Sequence, residues 1–353
     1  MKRPYTVLLV VPTGIGAAIG GYAGDALPVA RAISQVADCL ITHPNVLNGA
    51  QLYWNLPNAL YVEGYGLDQV AAGHWGLRPV HQNRIGLVLD QGIEPDLRLR
   101  QVQAADATRA TLGLDLTDYV VTDAPLNVSL KTAASGATWG TIERPDSLLR
   151  AVDKLIHQAG AQAIAVVARF PDDLGSEALQ QYRQGRGVDP LAGAEAVISH
   201  LVVRTFQIPC AHAPALSPLP LDSSVSPRSA AEELGYTFLP CVLVGLSRAP
   251  QLIATRSGSQ MGDVWADQID AMILPETACG GSAVLSLSQS STRIITVAEN
   301  TTTLEVTAEQ LNIPVQRVRS YLEAIGVLVC DRAGISPSAL NPSITALQGL
   351  VDW

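Results

Sequence analysis

Asp38-Cys39-Leu40-Ile41-Thr42-His43-Pro44 is a short apolar run that ends in an imidazole beside proline, and its pattern returns three times along the chain. The echoes are Asp118-Tyr119-Val120-Val121-Thr122-Asp123-Ala124-Pro125, Ile208-Pro209-Cys210-Ala211-His212-Ala213-Pro214 and Asp270-Ala271-Met272-Ile273-Leu274-Pro275-Glu276-Thr277. A continuous apolar run closed by a breaker reads as a strand buried on both faces, as where helices cover a parallel sheet. Each copy finishes at or near an ionisable group: His43, Asp123, His212 and Glu276. Ligands of open parallel sheets bind beyond the carboxyl ends of the strands, so these four groups are expected to share one crevice.

Working outward, the strands that open each unit begin near Val7, Ile85, Ala163 and Leu239, at intervals of 78, 78 and 76 residues. This spacing predicts an α/β protein with mostly parallel sheets of Rossmann-like strand-helix-strand units, internally pseudo-repeated and set in two lobes. The expected lobes are 1–160 and 161–330, each of two units, followed by a C-terminal extension, 331–353. Helices are expected over 27–37, 96–112, 146–160 (with Asp146 as cap) and 192–206, with Ser229 capping a further short one. Glu195 and His200 stand on the apolar 192–206 helix, where a single histidine reads as a satisfied core group. Residues 307–325 read as two short helices around Asn312-Ile313-Pro314. The Pro- and Ser-rich stretch 215–228 is too polar for a core and too long for a tight turn. It is expected to cover the crevice or to reach a neighbouring subunit of a homo-oligomer.

The first strand runs into Pro12-Thr13-Gly14-Ile15-Gly16-Ala17-Ala18-Ile19-Gly20, a spacing close to a dinucleotide fingerprint. Ribose recognition needs an acidic residue after the second strand, but that strand ends in His43, which counts against NAD(P). A phosphate or carboxylate held by Thr13, Gly14 and Gly16 remains open, as does a plain tight turn. Asn45 and Asn48 add carboxamides beside His43. Lys131, one of only three lysines, lies with Ser135 in a small, hydroxyl-rich stretch that could wrap an anion or be a turn. Thr277-Ala278-Cys279-Gly280-Gly281-Ser282-Ala283 is a second glycine-rich turn, expected on the same sheet edge as the first, with Gly280 and Gly281 against a ligand. Cys279 at its head is a candidate thiolate stabilised by a helix N-terminus. A metal version of the site would use His43, His212, Asp123 and Glu276 as mixed nitrogen and oxygen ligands, although no HxxxH or CxxC spacing supports it.

A net charge of −9, without any cluster of Lys and Arg, argues against nucleic acid and anionic membrane as partners. No apolar run approaches the ~20 residues a membrane helix needs. Five scattered cysteines do not suggest a disulfide framework, so a soluble cytoplasmic protein is expected.

Four further stretches carry a likeness: Gly185-Arg186-Gly187-Val188-Asp189-Pro190, Ala194-Glu195-Ala196-Val197-Ile198-Ser199-His200, the run from Pro209 to Pro218, and Pro227-Arg228-Ser229-Ala230-Ala231-Glu232-Glu233. On these the chain resembles a domain-of-unknown-function family of cyanobacteria and plants, over nearly its whole length. The resemblance implies no reaction and no catalytic residues. It implies a soluble protein of photosynthetic organisms, cytoplasmic or, in plants, of the plastid stroma. The residues themselves point to an enzyme that works on a small anionic metabolite by acid/base chemistry, of isomerase, lyase or hydrolase type. Its candidate groups are His43, His212, Asp123, Glu276 and Cys279. The alternatives are a regulatory protein that binds a metabolite without turning it over, and a scaffold whose strand-end groups only cap loops.

Overall fold

Runs such as Val7-Leu8-Leu9 and Ile85-Gly86-Leu87-Val88-Leu89 contain no polar member, so the strands they form leave neither face to water. In the computed structural model, which describes residues 3–48, 55–172, 175–234 and 238–349, such strands build two parallel sheets. The larger has six, in the order Gln316–Val318, Arg293–Val297, Ile269–Pro275, Thr6–Leu9, Cys39–Thr42, Ala59–Tyr61. The smaller has four, in the order Cys210–Ala215, Ala163–Arg169, Ile85–Leu89, Leu116–Val121. The protein is thus mixed α/β with Rossmann-like units, and each aliphatic side chain sealed in these strands contributes roughly 1.5–3 kcal/mol.

Sheet membership does not follow consecutive halves of the chain. Strands of the first and last stretches pair in the larger sheet, at Thr6–Leu9 with Ile269–Pro275, while the middle of the chain forms the smaller. The two crossings between sheets are themselves zipped together, because Gly76–Arg78 and Gln251–Ile253 pair as an antiparallel ribbon. Beside it the buried Asn83 amide donates to Leu246 O and Ala249 O, both at 2.8 Å, and its carbonyl accepts from Gln251 Nε2 at 2.7 Å. One apolar core joins Val7 and Leu9 of the larger sheet to Leu87, Leu89 and Ala213 of the smaller.

Three of the four expected opening strands form, but the fourth does not. Leu239–Ser247 is a buried helix that packs into the shared core. A short apolar run cannot be assigned by periodicity alone, and here Pro240 in the first turn suits a helix start. Gly245 lets this helix touch Tyr61, whose ring would lie 2.4 Å from an added Cβ. The expected helix pair at 307–325 is replaced by the edge strand Gln316–Val318 and the helix Tyr321–Ala333, which runs past residue 330. Residues 350–353 of the expected extension lie outside the described residues. Asp146 sits in the first turn of Pro145–Ala159 without a capping bond, and Ser229 lies inside Pro227–Leu234, donating to Arg183 O at 2.7 Å. The helix Ala192–Phe206 forms with the bounds read from the sequence.

Candidate functional site

The turns after Thr6–Leu9 and Ile269–Pro275 leave parallel neighbours at the same edge, as expected, and they border a cavity of about 530 Å³. Thr13, His43, Asn45, Asn48, Gly280 and Gly281 line it from the side of the larger sheet. The opposite wall is His212 on Cys210–Ala215 and one face of Ala192–Phe206, where Ala192, Glu195, Ala196, Ser199 and His200 recur at helical spacing. The 215–228 stretch covers the crevice with Leu216, Ser217 and Leu219, and Asp172 fixes it by accepting from the Ser217 amide at 3.0 Å.

His43 is 8% exposed, and the Val11 amide donates to its Nε2 at 3.3 Å. An acceptor at Nε2 leaves the proton on Nδ1 of a neutral ring. Burial pulls its pKa down to about 4. His212 is held at both nitrogens by one helix. Its Nδ1 lies 3.1 Å from Ser199 Oγ and its Nε2 3.6 Å from Glu195 Oε2. His200 forms an ion pair with Glu63, whose carboxylate also caps Gly64–Ala71 by accepting from the Tyr65 and Gly66 amides. Burial lowers the basicity of His200, but Glu63 and Asp68 outweigh it and hold the ring above its ordinary value. Glu232, from Pro227–Leu234, accepts from Tyr182 Oη at 2.7 Å and from the Ala23 amide at 3.1 Å. Burial is the main cause of its rise to about 7, and the nearby Glu195 and Asp25 add to it. Asp189 accepts from the Leu191 amide at 2.8 Å, and burial with Glu232 and Glu195 pushes it well above the carboxylate range.

The cavity therefore gathers His43 and His212 but not Asp123 or Glu276. Arg150 donates to Asp123 through Nε at 2.7 Å and, with Ser147, holds its carboxyl well below the usual range. Glu276 is turned to an ion pair with Arg317. The four expected ligands of a metal version are thus not brought together, and no group of three His, Cys, Asp or Glu among the described residues is placed to hold a metal ion. Cys279 is fully buried, its thiol donating to Glu276 O, and burial raises its pKa, the opposite of an activated thiolate. Gly14 and Gly16 adopt positive φ, 72° and 58°, to pack against Thr138 and Gly187, and the next helix starts only at Leu27. That turn accordingly places no helix N-terminus behind an anion. Lys131 lies 4.5 Å over the Trp139 ring on an exposed hairpin, and Ser135 is at its tip.

The sequence reading missed Glu63, Tyr182, Asp189, Ser199 and Glu232, and set His200 aside as core. The signal for Ser199 and His200 was the polar stripe on an apolar helix. Asp189 and Glu232 carried none, because they arrive from loop and lid segments.

Fold and cavity together define an α/β protein with a ligand-sized crevice between two parallel sheets. The chain belongs to the family described as protein of unknown function (DUF3326), which it matches over residues 6–341. It is 63% identical over 351 residues to a protein of Synechococcus sp. described as an uncharacterized lipoprotein, across 99% of this chain and 97% of that relative. No solved structure matches the chain. Among the described residues no helix is long and apolar enough to cross a membrane.

Proposed function

We propose that the cavity binds a small polar metabolite and turns it over by acid/base chemistry, with His212 as the proton carrier. The observation that carries this reading is the grip of Glu195 and Ser199 on both ring nitrogens of His212 at the wall of a 530 Å³ cavity. An imidazole between a carboxylate and a hydroxyl is held in one orientation, as an acid/base group requires. Glu232, at about 7, supplies a second group in the same cavity that exchanges protons near neutrality. Isomerisation, elimination and hydrolysis all draw on such a pair. The reading includes a cytoplasmic protein acting as a homo-oligomer. Cell fractionation separates this from a lipid-anchored protein, the Synechococcus relative being described as a lipoprotein.

Metabolites that raise the melting temperature, as any ligand of the native state must, would be incubated with the protein in deuterated water. The expected result is deuterium in the ligand, or conversion of it, at a rate that falls ~10²–10⁴-fold in His212→Asn. A ligand that binds but neither exchanges nor converts would make the protein a binder only.

A further inference from the structure

We propose that the ligand of this cavity is a small primary amine that also bears an oxygen acceptor, its ammonium group set among Asp189, Glu195 and Glu232 and its oxygen on Nδ1–H of His43. The proposal rests on the reading of the cavity as a ligand site and names the class that fits it.

The charged donors of the lining are already engaged within the protein. Arg183, its side chain 4% exposed, donates to Glu233 through Nε at 2.8 Å and Nη2 at 3.1 Å, and to Pro220 O at 2.8 Å. His200 is paired with Glu63, His212 faces Glu195 and Ser199, and no lysine lines the space among the described residues. An anionic ligand would meet no unengaged guanidinium or ammonium among these residues.

The acceptors are in the opposite condition. Asp189 receives backbone amides, and Glu232 receives Ala23 N–H and the Tyr182 hydroxyl, but among the described residues neither carboxylate is in an ion pair with a cation. The groups around them are Glu195, Asp25 and the stacked pair Tyr22 and Tyr182, with Arg228 turned to Asp25. Burial first, and the neighbouring carboxylates second, favour the protonated form of both carboxyls. A bound ammonium group favours the charged form instead and releases protons to solvent, so charge balances as the amine enters.

A second observation comes from the other wall. His43 is more than nine-tenths buried, its Nε2 takes the Val11 amide, and Nδ1–H has no protein acceptor among the described residues while the ring lines the cavity. Nδ1 is not among the sealed side-chain atoms left without a partner, so it opens to the cavity, where an oxygen of the ligand can accept its proton. Asn45 and Asn48 on the same wall suit a hydroxylated or carbonyl-bearing body. A volume of about 530 Å³ suits a metabolite of sugar or amino-acid size.

Glucosamine, glucose and glucuronate differ mainly in charge, as do serinol, glycerol and glycerate, so these two trios are the probes. In calorimetry near pH 7, the amine of at least one trio is expected to bind about tenfold or more tighter than its neutral partner. Its binding heat should vary with the ionisation enthalpy of the buffer, reporting proton release. Asp189→Asn and Glu232→Gln keep the shape of each side chain and should each reduce the amine preference about tenfold. Should either variant fail to fold, proton release by the wild-type protein still decides the matter. An amine that binds without releasing protons, or a preference that survives both substitutions, overturns the proposal. If glucuronate, glycerate or a neutral member binds best, the cavity remains a ligand site and the class is wrong. If no member of either trio binds, the amine assignment falls, while the ligand-site reading is decided separately by the melting-temperature screen.

Discussion

At the scale of single residues, the neutral imidazole of His43 makes stability depend on acid. Unfolded, the ring titrates near 6.5; in the native protein it titrates at about 4. Above 6.5 neither state holds the proton, so the full native stability is present there. As pH falls from 6.5 to 4, the unfolded chain binds a proton that the native chain refuses, and stability falls by up to about 1.4 kcal/mol per pH unit. Urea melts at pH 7 and pH 5 should therefore show wild type losing roughly 1–2 kcal/mol more than His43→Gln, which has no such proton to refuse. Equal losses would mean that the ring is solvated or already charged. Of the four strand-end groups read from the sequence, His43 and His212 line the cavity, because an apolar run closed by a breaker locates the carboxyl edge of a sheet. The rule could not foresee that Asp123 and Glu276 meet arginines 27 and 41 positions further on. Nor could it foresee carboxylates such as Glu232, which reach the cavity from a lid helix.

At the scale of elements, the helix Ala192–Phe206 positions the site, and its N-terminus lies hard against the hairpin strand Thr138–Ile142. A Cβ on Gly193 would sit 2.1 Å from Thr138 O, closer than any rotamer change can relieve. Gly193→Ala must push the helix off the hairpin, carrying Glu195 and Ser199 away from His212. The expected cost is about 1–3 kcal/mol in a thermal melt, together with weaker binding of any cavity ligand. Gly326, exposed in Tyr321–Ala333 with nothing within 4 Å of an added Cβ, is the control. Gly326→Ala should gain about 0.5–1 kcal/mol from helix propensity. A neutral Gly193→Ala would show that the contact is looser than drawn. The bounds of 192–206 were legible because a long periodic run between breakers has one reading. Leu239–Ser247 was not, since a run of Leu, Val and Cys is apolar on every face and suits a buried helix as well as a buried strand.

At the scale of the whole molecule, two sheets share one core and are joined by a double crossing that Asn83 clasps. That amide donates to two buried carbonyls and takes one donor; in Asn83→Ala, Leu246 O keeps the Ala249 amide at 3.3 Å and Gln251 Nε2 keeps Gln162 O at 3.0 Å, so Ala249 O is the group left without a partner among the described residues. Such a buried orphan costs about 1–3 kcal/mol. Denaturant melts should show a loss of about 1–3 kcal/mol in the variant. A broadened or split transition would mean that the sheets have come uncoupled. A loss below about 0.5 kcal/mol would show that water or the ribbon replaces the clasp. The sheet class was readable from apolar runs alone. Which strands share a sheet was not, because local patterning carries no information about partners on the far side of an insertion.

The pairing of the first strand with one 264 positions away has a consequence for how the chain comes into being. On a ribosome, all four strands of the smaller sheet have emerged once residue 215 is clear, and they bury one another from a contiguous stretch. Thr6–Leu9, Cys39–Thr42 and Ala59–Tyr61 appear earlier and are one another's neighbours, but the other edge of Thr6–Leu9 is covered only after Ile269–Pro275 is made. Until then an apolar strand edge waits unpaired, the condition in which nascent chains aggregate. The larger sheet is therefore the slow and vulnerable step, and its maturation depends on whatever shields the first sixty residues during translation.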